Sequence, residues 1–210
     1  MSVGLERDDA SRLEACLASG GVAVFPSDTV YGVCCDPENE AAARRMYALK
    51  GRSMRRASAV MFFSLPAALA ALEELTESER LVLEGLLPGP VTLLLANRAL
   101  RFAPACREDP ATLGLRVPSL PGPLAALRGM RRPVMQSSAN LSGQPDARTL
   151  AQVPRSLLEG ADLALDGGEL PGVASTVLDM RDFEAEGRWH LLREGALGRE
   201  DVQRKLASLG

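Results

Sequence analysis

The chain has 210 residues, 46% of them hydrophobic, which is enough for one domain with a substantial core and too many for a mainly disordered polymer. A formal charge of −3 and an aromatic content of 4% exclude a surface given over to nucleic-acid binding or base stacking, so an anionic partner has to be met locally. The four cysteines form no C-x-x-C pair, no apolar run is long enough for a membrane span, and M-S-V-G-L-E-R-D-D has acids where a signal peptide has its apolar segment; the expectation is a reduced, soluble, cytoplasmic protein.

In chain order, residues 9 to 19 predict a helix, with Leu13 and Leu17 on one face and Gly20-Gly21 as its stop. V-A-V-F-P, from Val22, predicts a buried strand. D-P-E-N-E-A-A-A-R-R-M-Y-A-L-K-G predicts a second helix, with Asp36 as N-cap, Pro37 at the first helical position and Gly51 past the end. S-A-V-M-F-F reads as a strand, P-A-A-L-A-A-L-E-E-L as a helix, and T-E-S-E opens another helix as a capping box of Thr76 and Glu79. V-T-L-L-L-A, L-G-L-R-V, P-V-M-Q, A-D-L-A-L-D and A-S-T-V-L-D-M are strand candidates, separated by helical pieces around 122 to 129 and 150 to 159. G-R-E-D-V-Q-R-K-L-A-S closes the chain as a helix. This alternation predicts one α/β or mixed α+β domain over residues 1–210, without repeats or a linker.

Several mechanisms leave no mark. There is neither a G-x-x-x-x-G-K-[ST] loop nor a G-x-G-x-x-G turn, and a single histidine, His190 in the strand-like R-W-H-L-L, excludes a histidine metal site. Cys34 and Cys35 have no histidine nearby in sequence to activate them. An enzyme built on this chain works by positioning and charge.

Charge is concentrated in one place. Between Ala41 and Leu72 there is no acidic residue, while Arg44, Arg45, Lys50, Arg52, Arg55 and Arg56 are basic. Arg44, Arg45 and Arg55 suit a solvated face near a helix C-terminus. For Lys50, Arg52 and Arg56 two readings stay open, solvated surface or a clamp whose donors converge on a polyphosphate. Q-S-S-A-N-L-S-G-Q-P, from Gln136, is either a cap and turn or a set of neutral donors for phosphate or ribose, and P-S-D-T-V-Y-G is a hydroxyl-bearing turn after the first strand.

Taken in order, F-P-S-D-T-V-Y-G (25–32), L-K-G-R-S (49–53), L-P-G-P-V-T-L (87–93), L-R-V-P (115–118), S-S-A-N-L-S-G-Q-P (137–145), D-G-G (166–168), V-A-S-T-V-L-D (173–179) and L-L-R-E-G-A (191–196) resemble the YrdC/Sua5 family, the L-threonylcarbamoyladenylate synthases. The motif-bearing region is about 9–196, and the resemblance is to the short, single-domain form without the C-terminal Sua5 domain. It implies a twisted, largely parallel mixed sheet with surrounding helices and a concave basic cavity. The implied reaction joins L-threonine, bicarbonate and ATP, with Mg2+ on its phosphates, into threonylcarbamoyl-AMP and pyrophosphate, with no tightly bound protein-ligated metal. A downstream threonylcarbamoyl-transferase complex then modifies adenosine 37 of tRNAs reading ANN codons.

Carried over by motif, Lys50, Arg52, Ser138 and Asn140 resemble the ATP-binding set, with Lys50 and Arg52 catalytic; Thr112, Arg193 and Arg56 are further ATP contacts. Arg116, Thr29 and Ser175 resemble the threonine contacts. The sequence departs from the family at Ser27, where Thr is usual, and in the tail of the basic run, where Arg56 stands for Lys and Ala57 for Pro. Met61 and Gln136 sit where members vary. Two other functions fit parts of the pattern: an RNA-binding protein without catalysis, weak tRNA affinity being compatible with either view, and a carbamoyl-adenylate enzyme of hydrogenase-maturation type.

Overall fold

In a computed structural model, residues 4–209 are described. The helices are α1 (Asp9–Ala18), α2 (Glu40–Leu49), α3 (Leu65–Ala71), α4 (Glu77–Leu86), α5 (Ala103–Cys106), α6 (Arg155–Gly160), α7 (Phe183–Glu186) and α8 (Arg199–Ala207), with 3-10 turns at Gly122–Gly129 and Leu150–Gln152. The strands are β1 (Ala23–Pro26), β2 (Tyr31–Cys35), β3 (Ala59–Met61), β4 (Val91–Ala96), β5 (Thr112–Arg116), β6 (Val134–Ser138), β7 (Leu163–Ala164), β8 (Thr176–Asp179) and β9 (His190–Arg193). They form one nine-stranded sheet in the order β7-β1-β2-β6-β3-β5-β4-β8-β9. No helix among the described residues is long and apolar enough to cross a membrane.

The mixed sheet and its jacket of helices agree with the sequence reading, but the strand directions do not lean the expected way. Pairs β1/β2, β2/β6, β3/β6, β4/β5 and β8/β9 are antiparallel, whereas β1/β7, β3/β5 and β4/β8 are parallel. The cause is local: β2 returns from β1 after four residues, too few for the crossover that a parallel neighbour needs. Other differences are as small. Asp36 does not cap α2; its carboxylate accepts from Glu38 N at 2.9 Å in a turn, and Asn39 caps the helix by accepting from Ala42 N at 3.0 Å. The capping box of Thr76 and Glu79 is present as expected. β2 was hidden in the sequence because Y-G-V-C-C is buried on both faces and shows no alternation.

Two apolar clusters lie on opposite faces of the sheet, as the two-residue period of a strand requires. Val33, Cys35, Val60, Leu93, Leu95, Leu113 and Leu115 face α2, α4 and α8 in one cluster. Phe25, Tyr31, Cys34 and Met61 face α1, α6 and the Gly122–Gly129 turn in the other. That second cluster covers only part of its face. Over β6, β3, β5, β4 and β8 the same face is open, and the alternate positions there line a cavity.

Candidate active site

The cavity has a volume of about 380 Å³. The alternation on β5 supplies its floor: Leu113 and Leu115 point into the core, so Thr112, Gly114 and Arg116 point into the cavity, as do Thr92 and Leu94 from β4 and Gln136 and Ser138 from β6. Of the residues expected at the site, Thr29, Arg52, Thr112, Arg116, Ser138, Ser175 and Arg193 line it. Lys50, Asn140 and Arg56 do not.

One wall grows from the end of α2. Gly51 takes the left-handed conformation, φ 57°, that lets the chain leave the helix and double back. Lys50, just before it, turns inward and is 3% exposed. Its ammonium donates to the Asn140 carbonyl at 2.9 Å, to Asn140 Oδ1 at 3.2 Å and to the Ser138 carbonyl. Burial, reinforced by the neighbouring Arg52 charge, pushes its pKa down to about 8. Lys50 therefore clamps the S-A-N turn from behind.

Arg52 reaches the cavity. Its Nη1 donates to Ser137 Oγ at 2.6 Å, its Nη2 donates to the Ala57 carbonyl at 2.6 Å, and its Nε is buried without a partner. Ser138 Oγ donates to Asn140 Oδ1 at 2.7 Å. Lys50, Ser138 and Asn140 are thus one hydrogen-bonded cluster, which Arg52 adjoins through Ser137; Arg52 and Ser138 face the cavity, and Lys50 and Asn140 are their support. Arg56 is exposed and does not line the cavity.

The opposite wall is built around Arg116, which is 4% exposed. Its Nη2 donates to Asp28 Oδ1 at 2.7 Å and to Thr29 Oγ1 at 3.2 Å, and its Nε is buried and unpartnered. Asp28 Oδ2 accepts from Ser119 N at 3.0 Å. Burial pushes the Asp28 carboxyl up and the Arg116 guanidinium down, each partly offset by the other's charge. Beside this pair, Ser175 and Thr92 share a hydrogen bond of 2.9 Å, and Arg193 donates to the Ser175 carbonyl through Nη2 at 2.7 Å. Thr112 Oγ1 accepts from Arg181 at 3.0 Å, and Arg181 is fixed in turn by Asp179.

Residues 15–195 match the Sua5/YciO/YrdC family model, whose description is "Telomere recombination". The chain belongs to this family. A Sua5/YciO/YrdC relative called threonylcarbamoyl-AMP synthase, from Nitrosococcus oceani, is 36% identical over 151 residues, covering 72% of this chain and 81% of its own. One of the same name from Bacillus subtilis is 31% identical over 194 residues, covering 90% of this chain but 54% of its own, so the chain spans about half of that relative. Among solved structures, P. abyssi Sua5 complexed with L-threonine superposes with a TM-score of 0.82 at 27% identity, over 96% of this chain and 58% of that one.

The family motifs converge in space. Tyr31 of F-P-S-D-T-V-Y-G donates toward Asp166 Oδ1 at 2.9 Å and the Gly168 carbonyl at 2.8 Å, so it joins the D-G-G motif. In L-L-R-E-G, a Cβ on Gly195 would lie 2.2 Å from the Ala174 carbonyl; only glycine lets this turn approach the A-S-T segment. Ser27, where the family usually has Thr, keeps the hydroxyl function: its Oγ donates to the Val30 carbonyl at 2.8 Å and lies 3.0 Å from Thr29 Oγ1. Sequence reasoning missed Asp28, Thr92, Asp109, Ser137 and Asp146. Asp28 sits inside a quoted motif, and the buried Arg116 that it neutralises was the signal that could have found it.

Proposed function

We propose that this chain is an L-threonylcarbamoyladenylate synthase, forming threonylcarbamoyl-AMP and pyrophosphate from L-threonine, bicarbonate and ATP for the modification of adenosine 37 in tRNA. The observation that carries the reading is the cavity itself, with Arg52 and Ser138 facing Arg116 and the Thr29 and Ser175 hydroxyls across it. The P. abyssi relative bound to L-threonine supports an amino-acid side to that cavity.

The reaction asks little covalent chemistry of the protein. Threonine's amine and bicarbonate give a carbamate and water; a carbamate oxygen then attacks the α-phosphorus of ATP, and pyrophosphate leaves with the electron pair of the broken P–O bond. The nucleophile belongs to the substrate. This agrees with thiols that are poor nucleophiles: Cys34 and Cys35 are buried, and burial pushes Cys35 up to about 12 and Cys34 well above its ordinary value. His190, on β9 with an exposed side chain, is not among the residues lining the cavity.

What the protein supplies is positive charge and orientation. Two unit charges of like sign 4 Å apart repel by about 4 kcal/mol at an effective dielectric near 20, and ATP with a carbamate sets several such pairs together. Arg52, backed by the charge of Lys50, would meet the phosphates; Arg193 and Thr112 would meet the nucleotide; Arg116 would hold the threonine carboxylate. Mg2+ arrives on the ATP phosphates as part of the substrate. Binding of bicarbonate, weak tRNA affinity and hand-over to a threonylcarbamoyl-transferase complex belong to this proposal.

The test is pyrophosphate release from ATP with L-threonine and bicarbonate supplied together and separately. Turnover that needs both, with threonylcarbamoyl-AMP detected by mass spectrometry, is the expected result. Turnover with carbamoyl phosphate in their place would assign a hydrogenase-maturation type of chemistry, and RNA binding without turnover would replace the enzyme reading.

A further inference from the structure

Tyr47 is a buried residue of α2, 0% exposed, that no part of the proposed reaction uses, yet its carbonyl and its hydroxyl are both tied to the basic loop. Its carbonyl accepts from Arg52 N at 3.0 Å. Its hydroxyl donates to the Arg56 carbonyl and shares a hydrogen bond of 2.9 Å with Ser58 Oγ. Its ring lies 5.5 Å from the Arg52 guanidinium carbon. One residue therefore touches the loop where it starts, through its carbonyl, and where it ends and at the group it presents to the cavity, through its side chain.

A second guanidinium reinforces this. Arg107, at the end of α5 with φ 58°, lies 4.8 Å from the centre of the same ring and is anchored to the Glu40 carboxylate at 3.0 Å. Its Nε and Nη2 are buried without partners, so the aromatic face is part of what satisfies this cation. The Glu40 carboxyl is held below its ordinary range by Arg44 and Arg107, which keeps the anchor charged. Tyr47 is thus packed between a fixed cation beside α5 and Arg52, whose two terminal nitrogens are hydrogen-bonded while its Nε has no partner.

We propose that Tyr47 is a positioning residue for ATP: its hydroxyl staples Arg56 and Ser58 to α2 and its ring sets the Arg52 guanidinium, so that the 50–58 loop meets the nucleotide already formed. The proposal rests on the synthase reading and deepens it. Its physical content is pre-organisation: a loop that must be ordered on binding weakens affinity for the ligand that orders it, and no other. The effect should fall on ATP and spare threonine, whose proposed contact is Arg116 on the opposite wall.

The variants are Tyr47→Phe, which keeps the ring and removes the staple, and Ser58→Ala, which removes one of its two partners. In the pyrophosphate assay Tyr47→Phe is expected to raise the KM for ATP about tenfold, the scale of one lost buried hydrogen bond, with the KM for threonine within about twofold of wild type. Ser58→Ala is expected to fall between the two. In an Arg52→Lys background, which retains a cation, Tyr47→Phe should add less than about threefold, because the staple acts by holding the loop that presents the Arg52 guanidinium and that group is gone. Folding is checked by thermal melts, and calorimetric titration with a non-hydrolysable ATP analogue reads the same loss without turnover. An unchanged ATP affinity in folded Tyr47→Phe, a parallel rise in both KM values, or full additivity with Arg52→Lys would overturn the proposal. A wild-type protein that binds the analogue but makes no threonylcarbamoyl-AMP would overturn the functional reading instead and leave the calorimetric test of Tyr47 standing.

Discussion

Lys50 and Arg116 are both buried cations beside one cavity, 3% and 4% exposed, yet the protein holds them in different ways. Lys50 is met by the neutral oxygens of Ser138 and Asn140, whereas Arg116 is met by the Asp28 carboxylate. Carbonyl dipoles satisfy hydrogen bonds and leave the net charge in place; a carboxylate cancels it. The Lys50 and Arg52 wall thus keeps a net positive field, two cations against the nearby Asp146 carboxylate, suited to a polyphosphate. On the Arg116 side Asp28 cancels the Arg116 charge and hydroxyls line the cavity, with Arg193 as the cation left over, which suits a small zwitterion that brings one carboxylate and one amine.

The largest expected effect tests the charged wall. Arg52→Ala should lower kcat/KM by at least about a thousandfold, in the range found for a single cation acting on a transferring phosphoryl group. The protein should remain folded, because Arg52 is only partly buried and its loop stays anchored by Lys50 and Tyr47. Near wild-type pyrophosphate release by folded Arg52→Ala would break the comparison at once.

Lys50 comes next and carries a pH signature. Its folded-state pKa of about 8 lies below the ordinary 10.5, so between those values the unfolded chain keeps a proton that the folded chain has released. Stability contributed by this group therefore rises as pH increases through that window. Affinity for ATP should move the opposite way, since the wall loses a charge above pH 8. A KM for ATP that rises through pH 8 in wild type and is flat in Lys50→Met is the expected result. Lys50→Met should also cost about 1 to 3 kcal/mol of stability for each buried carbonyl left without a donor.

Much of this contrast could be read from the sequence, and the part that could not has a physical cause. The alternation T-L-G-L-R on β5 and the hydroxyls of P-S-D-T gave the cavity its floor and one wall, because strand periodicity fixes which side chains share a face. Likewise K-x-R and S-x-N were legible as partners across some ninety residues through the family resemblance. What spacing could not give is which member of a cluster faces the ligand. Lys50 and Arg52 are two residues apart, and only the left-handed Gly51 between them decides that one turns behind the S-A-N turn and the other in front. The antiparallel bias of the sheet was hidden for a similar reason: β2, buried on both faces, offers no pattern to count.

Asp28 is the point at which the paired-charge wall can be sharpened. Asp28→Asn leaves Arg116 buried without a counter-charge, at a cost of about 3 to 5 kcal/mol, whereas the double variant Asp28→Asn, Arg116→Gln should recover most of that loss. At the same time the KM for threonine should change by about tenfold or more while the KM for ATP stays within about threefold, because the removed carboxylate touches Arg116 and Ser119 and nothing on the Lys50 side. Equal changes in both would mean that the two walls act as one electrostatic body.

The smallest effect is expected at Arg56, and its smallness is informative. The family usually has Lys at this position, which made Arg56 an ATP candidate in the sequence, yet its side chain is exposed and absent from the cavity lining. What matters here is the backbone: the Arg56 carbonyl accepts the Tyr47 hydroxyl, a bond that any residue at 56 can make. Exposed charges near a highly charged ligand still act at long range, but an ionic atmosphere with a screening length of about 8 Å at physiological salt removes most of that. Arg56→Ala should therefore change the KM for ATP by less than about twofold at physiological salt and by more at low salt. A tenfold loss that persists at high salt would require the loop to swing inward when ATP binds, carrying Arg56 to the phosphates and turning a wall built around Arg52 into one with two arginines.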